Sequence, residues 1–463
     1  MGLHKTRYTG LVGWVDSRMP TVMETFRAHM SEYYAPKNFN FWYFFGSLAA
    51  LVLVIQLLSG AFLAMHYKPD ANSAFWSVEF IMREVSGGWF IRYMHSTGAS
   101  FFFIVVYLHM FRGLLYGSYK SPREIVWLFG CTIFLLLMAE SFFGYLLPWG
   151  QMSFWGAQVI INLFDSIPMI GPALSTWIRG DFVIGDATLN RFFAMHTMMI
   201  PTILIGVIAF HIIALHDVGS NNPDGVEIKD HLGADGKPLD GIPFHPYYTV
   251  HDLYGVAVFL LVYFAVVFFA PELGGVFLEG NNFIPADPLQ TPHHIAPLWY
   301  FTPYYSILRA TTQGFLPWVA GGVVALGAVA FLRVRGPVRF GIAAFAALLV
   351  ALLTVPGVQL DAKLWGVALM GSAVMVFFLV PWLDRSPVRS MRYRPRWHTG
   401  VLLAFVAAFL ILGYLGMLPP TPLRTVVSQV MTAVYFSFFA LMPWWSRMGT
   451  FLPVPERITY RAH

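Results

Sequence analysis

Residues 92–112 read RYMHSTGASFFFIVVYLHMFR, an apolar run that contains two histidines. His95 and His109 are 14 residues apart. At about 100° per residue in an α-helix, this spacing returns to within about 40° of the same face. At about 1.5 Å per residue, the two imidazoles would be about 21 Å apart along the axis. The stretch therefore predicts a membrane helix with one histidine towards each side of the bilayer.

A second apolar run repeats this pattern at residues 192–215, where His196 and His211 are 15 residues apart. If the two helices run in the same direction, the histidines pair by depth, His95 with His196 and His109 with His211. A single buried histidine can simply hydrogen-bond a neighbouring backbone. Two pairs at nearly equal spacing instead favour two metal centres, and imidazole pairs suit haem iron.

The 15-residue spacing requires a local distortion of its helix. One extra residue would rotate His211 about 60° from the ideal face. Pro201 lies between the two histidines, and a proline frees a backbone carbonyl and permits a kink or a π-bulge. We expect that distortion near residues 197–206.

The composition places the chain in a membrane. Of 463 residues, 57% are hydrophobic and 11% are charged, whereas a soluble domain carries about 25% charge. The single cysteine, Cys131, excludes a disulfide within the chain and a thiolate set for an iron–sulfur cluster. The net charge of +5 indicates how the chain is oriented in the membrane, and we expect no nucleic-acid partner. The amphipathic residues 1–37 do not resemble a cleaved signal peptide.

Ten segments are apolar and long enough to span a bilayer. They are 41–65, 93–115, 124–146, 192–215, 251–271, 316–333, 338–355, 363–383, 400–418 and 426–445. The basic clusters fall in alternate loops, which places both termini in the cytoplasm. The seventh segment is short, but it must be counted with the sixth, because losing only one of them would put the last arginine clusters outside.

These spans predict an all-α integral membrane protein in which the first four helices form a four-helix bundle around two cofactors. The predicted regions are an amphipathic segment at 1–40, the bundle at 41–250 with a long outer loop at 147–191, a fifth span with a second outer loop at 251–312, an extra transmembrane hairpin at 313–360, and a three-helix region at 361–463.

Two glycine pairs share the histidine period. Gly46 and Gly60 are 14 residues apart in the first span, as are Gly130 and Gly144 in the third. A planar macrocycle inside a four-helix bundle requires close backbone approach, which glycine permits. Ordinary packing through small residues is the alternative.

Three arginines near the ends of the histidine-bearing helices are candidate partners for haem propionates. They are Arg92, Arg112 and Arg191. Anchoring at the membrane interface is the alternative, and it is strongest for Arg112.

Motifs along the chain resemble cytochrome b of the bacterial quinol–cytochrome c reductase (cytochrome bc) complex. They are RYMHSTGAS at 92–100, LPWGQMSFWG at 147–156, RFFAMH at 191–196, HDVGSNNP at 216–223, PYYTVHD at 246–252 and PLWY at 297–300. The resemblance covers about residues 40–460 except for roughly 313–360. Motifs of this length in this order are highly specific.

The resemblance implies a di-haem subunit of a respiratory ubiquinol–cytochrome c oxidoreductase in the bacterial inner membrane. His95 and His196 would bind a low-potential haem b near the outer face, and His109 and His211 a high-potential haem b near the inner face. Ubiquinol would be oxidised at an outer site. One electron would pass to a Rieske iron–sulfur subunit and the other through the haems to quinone at an inner site, which contributes to the proton gradient. A membrane-anchored c-type cytochrome subunit and a second copy of the chain are the other implied partners.

The resemblance also implies residues for both quinone sites. The outer site would use Gly156, Pro297, Trp299 and Tyr300, and the inner site His216, Ser220 and Asp252. A histidine and an aspartate near the inner surface can bind quinone carbonyls and relay protons. By itself, Asp252 can also be read as a solvated start of the fifth helix.

The chain departs from the family at the outer motif. The family usually has Pro-Glu-Trp-Tyr, whose glutamate is thought to accept a proton from quinol, but this chain has Leu298 at that position. Either the Rieske partner and water take the protons or another acid substitutes. We predict that Glu140, in the third span, lines the outer quinol pocket and replaces that acid. A structural hydrogen bond is the alternative role.

The second departure is the insert at 313–360, which adds two spans to the family's eight. It contains no acidic residue, histidine or cysteine between residues 314 and 355. We therefore expect no redox centre there, and a peripheral packing or partner-binding role.

Two other functional classes are compatible with paired histidines. A di-haem membrane anchor of a hydrogenase or dehydrogenase would not need the long outer loops or the Pro-Leu-Trp-Tyr motif. A transporter with structural histidines should show inverted repeats or broken helices, which the sequence does not display.

Overall fold

A computed structural model describes residues 8–29 and 32–459. Within these residues, nine helices are long and apolar enough to cross a membrane. They are Phe41–Ala64, Gly88–Tyr116, Glu124–Leu146, Asp186–Val218, Phe244–Phe269, Leu316–Arg333, Ala362–Leu383, Arg396–Met417 and Pro422–Ala440. We number them as in the sequence prediction, with the predicted seventh span between Leu316–Arg333 and Ala362–Leu383.

Nine of the ten predicted spans reach this length among the described residues, and the seventh is an apolar helix that is slightly shorter. The seventh segment forms Val338–Thr354, a helix of 17 residues. Gly336, with φ +80°, precedes this helix, and Pro356 follows it. Because a left-handed glycine and a proline do not continue a regular helix, these residues limit its length.

The first four spans pack in two pairs. The first span, a short 3₁₀ turn at Phe41–Tyr43 followed by the α-helix Phe44–Ala64, packs along the second. The third span packs along the fourth. The second helix begins after Gly87 and ends before Gly117, both with positive φ, so it is longer than the apolar run alone predicts. We call the two ends of this bundle the His95 end and the His109 end.

The fourth span contains the distortion that its histidine spacing predicts. An α-helix at Asp186–Ala194 leads into a π-helical turn at Met195–Met199, and the α-helix Ile200–Val218 follows. The π turn begins slightly before the predicted region and lies directly ahead of Pro201. A π-bulge accommodates one extra residue without changing the register of the flanking α-helices. The 15-residue spacing therefore acts geometrically as a 14-residue one.

The two long loops at the His95 end are folded onto each other. The backbone N–H of Gln151 donates to Ile284, and that of Ala286 donates to Trp149. The side chain of Asn282 accepts from the N–H of Ser153 at 3.0 Å. This end also carries the helices Ala74–Arg83, Gln151–Phe164, Gly171–Arg179 and Thr302–Ala310 and the 3₁₀ turns Leu273–Gly275 and Gly280–Phe283.

The His109 end is held together by a short sheet and ion pairs. The strand Tyr34–Pro36 pairs antiparallel with Gly241–Pro243. Asp240 forms ion pairs with Lys37 at 2.9 Å and with Arg457 at 2.5 Å. The remaining elements here are the N-terminal helices Gly10–Asp16 and Pro20–His29, the turns Ile228–Asp230 and Met391–Tyr393, and a π turn at Phe244–Tyr248 that leads into Thr249–Phe269.

The later spans form a second packed unit beside the bundle. Thr302–Ala310 contacts the eighth, ninth and tenth spans. The eighth span consists of Ala362–Met375, a 3₁₀ turn at Val376–Leu379 and Val380–Leu383, and the tenth is followed by Met442–Trp445. The extra hairpin packs through buried Leu316 and Leu353 against Ala362 and Trp365 at the start of the eighth span.

Candidate functional site

The histidines at the His95 end face each other across the bundle. The ring centroids of His95 and His196 are 6.0 Å apart. Nδ1 of His196 lies 3.0 Å from the carbonyl oxygen of Glu140. Nδ1 of His95 lies 3.0 Å from Oγ of Ser59, whose hydroxyl donates to the carbonyl of Ile55. Protons on these Nδ1 atoms leave the Nε2 lone pairs available for a metal, which is the usual arrangement of ligand histidines.

The second histidine pair also faces across the bundle, at the other end. The ring centroids of His109 and His211 are 6.4 Å apart. Nδ1 of His211 lies 2.9 Å from the carbonyl oxygen of Val126. Nδ1 of His109 is buried without a hydrogen-bond partner. The structure therefore brings together the two depth-matched pairs that the sequence predicts.

Each of the four histidines is opposed by one of the four predicted glycines. A Cβ placed on Gly60 would lie 3.1 Å from Cε1 of His95, and one on Gly46 would lie 3.3 Å from Cε1 of His109. A Cβ on Gly130 would lie 3.5 Å from Cε1 of His211. A Cβ on Gly144 would overlap the ring of His196. The distances of 3.1 and 3.3 Å are shorter than most Cβ contacts in proteins. Gly46, Gly60 and Gly144 thus make room for the imidazole rings, and a larger residue at these positions would displace them.

A cavity of about 410 Å³ surrounds the first histidine pair. His95, His196 and Arg92 line it, together with apolar side chains from the first and third spans. An apolar space between two imidazoles, with a guanidinium on its wall, fits a haem whose propionates need a cationic partner. The residues present therefore match the cofactor that the sequence predicts.

The other two predicted arginines differ in their surroundings. Arg112 lies over the ring of Tyr43 at 4.8 Å, and its buried Nε has no hydrogen-bond partner. Arg191 donates to the carbonyl of Trp177 in the long loop after the third span. The guanidinium of Arg191 is therefore engaged by the loop that covers the bundle.

The Pro297–Tyr300 motif is fastened to the second span. The ring centroids of Tyr300 and Phe103 are 3.9 Å apart, and the two rings are stacked. The backbone carbonyl of Tyr300 accepts a 2.7 Å hydrogen bond from the hydroxyl of Tyr107. The indole N–H of Trp299 donates to Ser100 at 3.0 Å. Leu298 and Tyr300 line the same cavity as the first histidine pair.

Gly156 supports a tyrosine on the wall of this cavity. A Cβ on Gly156 would lie 3.5 Å from Cε1 of Tyr145. Tyr145 follows Gly144 in the third span and lines the cavity. The predicted outer-site residue therefore backs an aromatic side chain that the sequence analysis did not select.

Glu140 lies on the cavity wall, with its carboxylate directed at a histidine of the first facing pair. Its Oε1 is 3.0 Å from Nδ1 of His196, and its Oε2 is buried without a hydrogen-bond partner. The Glu140 carbonyl accepts the Nδ1 proton of His196, and the carboxylate beside it adds a negative charge that increases the basicity of this candidate ligand ring. The carboxylate predicted for the quinol pocket thus contacts the candidate haem ligand.

Glu279 is an acid near this cavity that the sequence analysis did not identify. It lies in the loop after the fifth span, 134 residues from Tyr145 in sequence, and accepts a 2.7 Å hydrogen bond from the hydroxyl of Tyr145. Burial raises the pKa of Glu279 to about 7. Neither motif nor periodicity marked this residue. The available signal was an acid in an otherwise apolar and aromatic loop.

At the His109 end, His216 and Ser220 are joined through a tyrosine. The ring of Tyr33 stacks on that of His216 at 4.4 Å. Its hydroxyl lies 3.1 Å from Oγ of Ser220. Asp252 is held separately, because its Oδ1 accepts from the hydroxyl of Ser47 at 3.0 Å. Tyr33 and Ser47 were not predicted, since no motif carries them.

Two families match the sequence of this chain. The family described as Cytochrome b/b6/petB matches residues 30–219, and the family described as Cytochrome b(C-terminal)/b6/petD matches residues 285–436. The first match contains all four histidines of the facing pairs, and the second contains the Pro297–Tyr300 motif.

Full-length relatives and a solved structure agree with these matches. A cytochrome b of Allochromatium vinosum is 53% identical over 97% of this chain and 98% of the relative. A cytochrome b/c1 protein of Bradyrhizobium diazoefficiens is 40% identical over 96% of this chain and 56% of the relative. A chain from a hyperthermophilic respiratory complex III aligns with a TM-score of 0.77 and 34% identity, covering 94% of this chain and 98% of that one.

Proposed function

Because the chain belongs to the cytochrome b family, of the respiratory complex III type, we propose that it binds two b haems and connects two quinone sites across the membrane. In this proposal the His95 end faces outwards and the His109 end faces the cytoplasm, together with both termini. The host membrane is the inner membrane of a bacterium.

The two facing histidine pairs support the proposed haem count. His95 and His196 would hold one haem, and His109 and His211 the other. Bound haem supplies a one-electron carrier at each end of the bundle. The protein positions three of the imidazoles through their Nδ1 contacts, and a glycine opposite each of the four rings leaves space for it. These glycine–histidine contacts are the observation that carries the proposal.

At the outer site, the chain would bind ubiquinol beside the Pro297–Tyr300 motif and allow its oxidation. The cavity that contains the first histidine pair continues to Leu298 and Tyr300, so a bound quinol would lie close to its electron acceptor. Trp299 and Tyr300 are fixed by hydrogen bonds to the second span, which keeps the pocket rigid. Glu140 remains a candidate acid of this pocket, although its carboxylate contacts His196.

At the inner site, His216, Ser220 and Asp252 would bind and protonate a quinone. Reduction of a quinone consumes two protons, and both an imidazole and a carboxylate near the aqueous surface can deliver them. The contact of Tyr33 with both His216 and Ser220 would orient these donors.

The partners of this function are proposed from the relatives. The name of the cytochrome b/c1 relative supports a c-type cytochrome as partner, and the complex III neighbour supports a multi-subunit assembly. A Rieske iron–sulfur subunit would take the first electron from quinol at the outer site, and a second copy of the chain would complete a dimer.

Haem stoichiometry of the purified complex tests this proposal. A pyridine haemochromogen assay should give two b haems per chain, and His196→Asn and His211→Asn should each remove one. His398→Asn is the matched control, because His398 is a buried histidine of the ninth span that bonds the Met448 carbonyl outside the bundle. One haem in the unmodified protein, or two in either bundle variant, would refute the assignment.

A further inference from the structure

The cavity around His95 and His196 has a leucine, Leu298, at the position where the family usually has an acid. Leu298 is 7% exposed and lines the cavity with an apolar side chain. Quinol oxidation releases protons from phenolic hydroxyls, and an aliphatic side chain cannot accept them. Another route for the proton is therefore needed if this cavity oxidises quinol.

Tyr145 connects the cavity to an acid in the covering loop. Its side chain lines the cavity, and its hydroxyl donates to Oε2 of Glu279 at 2.7 Å. The Tyr145 oxygen can accept a hydrogen bond from a quinol hydroxyl while its own proton is directed at the carboxylate. A side chain on the cavity wall is thus hydrogen-bonded to a carboxylate that does not line the cavity.

Glu279 lies between the protein interior and the surface. The preceding residue, Leu278, is buried, whereas the next two residues, Gly280 and Asn281, are exposed. A carboxylate at this boundary can take a proton from inside the protein and release it to water.

We propose that Tyr145 and Glu279 form the proton exit of the outer quinol site, with Glu279 as the acceptor in place of the acid missing at Leu298. The inference rests on the proposed quinol-oxidising function. In the step, the quinol O–H bond breaks, its proton joins the Tyr145 oxygen, and the Tyr145 proton moves to the Glu279 carboxylate. The proton of the other quinol hydroxyl leaves with the first electron towards the iron–sulfur partner, and the second electron goes to the haem iron, so that two protons and two electrons are released in all.

The pKa of Glu279 suits a group that accepts a proton and then releases it. Burial raises the pKa of its carboxyl to about 7. The titratable groups that face it are the phenols of Tyr145, from the third span, and Tyr300, from the loop before Thr302–Ala310. A base with a pKa near the working pH both takes up and releases protons readily.

Glu140 is placed less well for this role. Its Oε1 contacts Nδ1 of His196, so the carboxylate is committed to a candidate haem ligand. It also lies within the third span rather than beside exposed residues. The positions of the two acids therefore favour Glu279 as the proton exit.

The test is quinol–cytochrome c reductase activity of the purified complex, measured from about pH 5.5 to 9 with a short-chain ubiquinol. Glu279→Gln should slow turnover about a hundredfold, which is the lower end of a general-base contribution. The unmodified rate should rise with pH through about 7, because only the carboxylate accepts a proton, and the variant should lose this inflection. Tyr145→Phe should act in the same direction.

Glu272→Gln is the matched control. Glu272 lies in the same loop and accepts a hydrogen bond from Tyr93 at 3.2 Å, but neither residue lines the 410 Å³ cavity. This variant should retain both rate and inflection. The double variant Glu279→Gln with Leu298→Glu should recover activity, since it returns an acid to the family's usual position.

Haem spectra separate the two levels of the proposal. An unmodified complex that contains both haems but does not oxidise quinol would refute the proposed function itself. Full activity and an unchanged pH profile in Glu279→Gln, with both haems present, would overturn the proton exit alone. Loss of the inflection in Glu140→Gln but not in Glu279→Gln would also overturn it and assign the acceptor to Glu140.

Discussion

At the scale of single residues, the haem proposal depends on four contacts between a glycine and a histidine. At Gly46, Gly60 and Gly144 the absence of a side chain is the physical requirement, because the opposing ring lies too close for a Cβ. A Cβ on Gly130 would make an ordinary contact with His211. The closest case is Gly144, where a Cβ would overlap the ring of His196. The tightness differs between the four sites, so their tolerance to substitution should differ as well.

Gly144→Val is expected to weaken haem binding at the outer pair. Overpacking of this kind costs about 1–3 kcal/mol, which corresponds to roughly a 5- to 150-fold loss of affinity. Haem retention after detergent dilution, followed optically, measures this effect. Gly206→Val is the control, because a Cβ at Gly206, in the fourth span, meets no atom within 4 Å. Equal haem loss in both variants would contradict the explanation.

Glu140→Gln is expected to raise the midpoint potential of the outer haem. The carboxylate contacts Nδ1 of His196, and its negative charge stabilises the oxidised iron through a more basic ligand. A rise on the order of 60 mV would correspond to a tenfold change in a one-electron equilibrium. A redox titration measures it, with Glu279→Gln as the variant that should not shift. An unchanged potential in Glu140→Gln would mean that this contact does not influence the iron.

The sequence predicted residues that belong to helical patterns or to the motifs of the resemblance, and it missed residues that belong to neither. His95 and Gly60 were identifiable because a helix converts sequence spacing into a common face. Glu279 and Tyr33 meet their partners only through loop folding, across sequence distances with no period. Leu298 did indicate that an acid was missing, but the replacement could not be located without the path of the loop.

At the scale of elements, the π turn at Met195–Met199 keeps the fourth span in register with the second. The turn absorbs one residue ahead of Pro201, so His196 and His211 face the partners that a 14-residue spacing would give them. The sequence predicted this distortion from the spacing and the proline together.

Deletion of Met198 combined with Pro201→Ala is expected to preserve both haems. The deletion removes the extra residue of the π turn, Met198 is 67% exposed, and alanine removes the proline's clash with a regular helix. Deletion of both Met198 and Ile205 in the same Pro201→Ala background is the control. It leaves His196 and His211 13 residues apart, so it should rotate His211 by about 100° from the register of a 14-residue spacing and remove its haem. Optical spectra of both variants decide, and loss of a haem in the Met198 deletion would contradict the register argument.

Span positions were predictable from hydropathy, but their ends were not. The fourth span begins at Asp186 rather than 192, because its first turns are polar and lie against the covering loop. The predicted seventh span is a 17-residue helix, since Gly336 and Pro356 limit its length more than its apolar composition suggests. Hydropathy measures lipid contact and does not register helices that extend into protein-covered regions.

At the scale of the whole molecule, each end of the bundle is closed by segments distant in sequence. At the His95 end, the loops after the third and fifth spans bond to each other and cover the cavity. At the His109 end, Asp240 ties the segment before the first span to the C-terminal tail through Lys37 and Arg457. The bundle is thus held between two caps, and each cap carries one proposed quinone site.

An optical redox titration of the purified complex in detergent tests the central claim most directly. We expect two b-type components with separate midpoint potentials, because the two histidine pairs lie at opposite ends of the bundle. Among the described residues, the carboxylate of Glu140 lies beside Nδ1 of His196, whereas Nδ1 of His211 meets a backbone carbonyl. A single b component, or none, would contradict the assignment of both histidine pairs as haem sites.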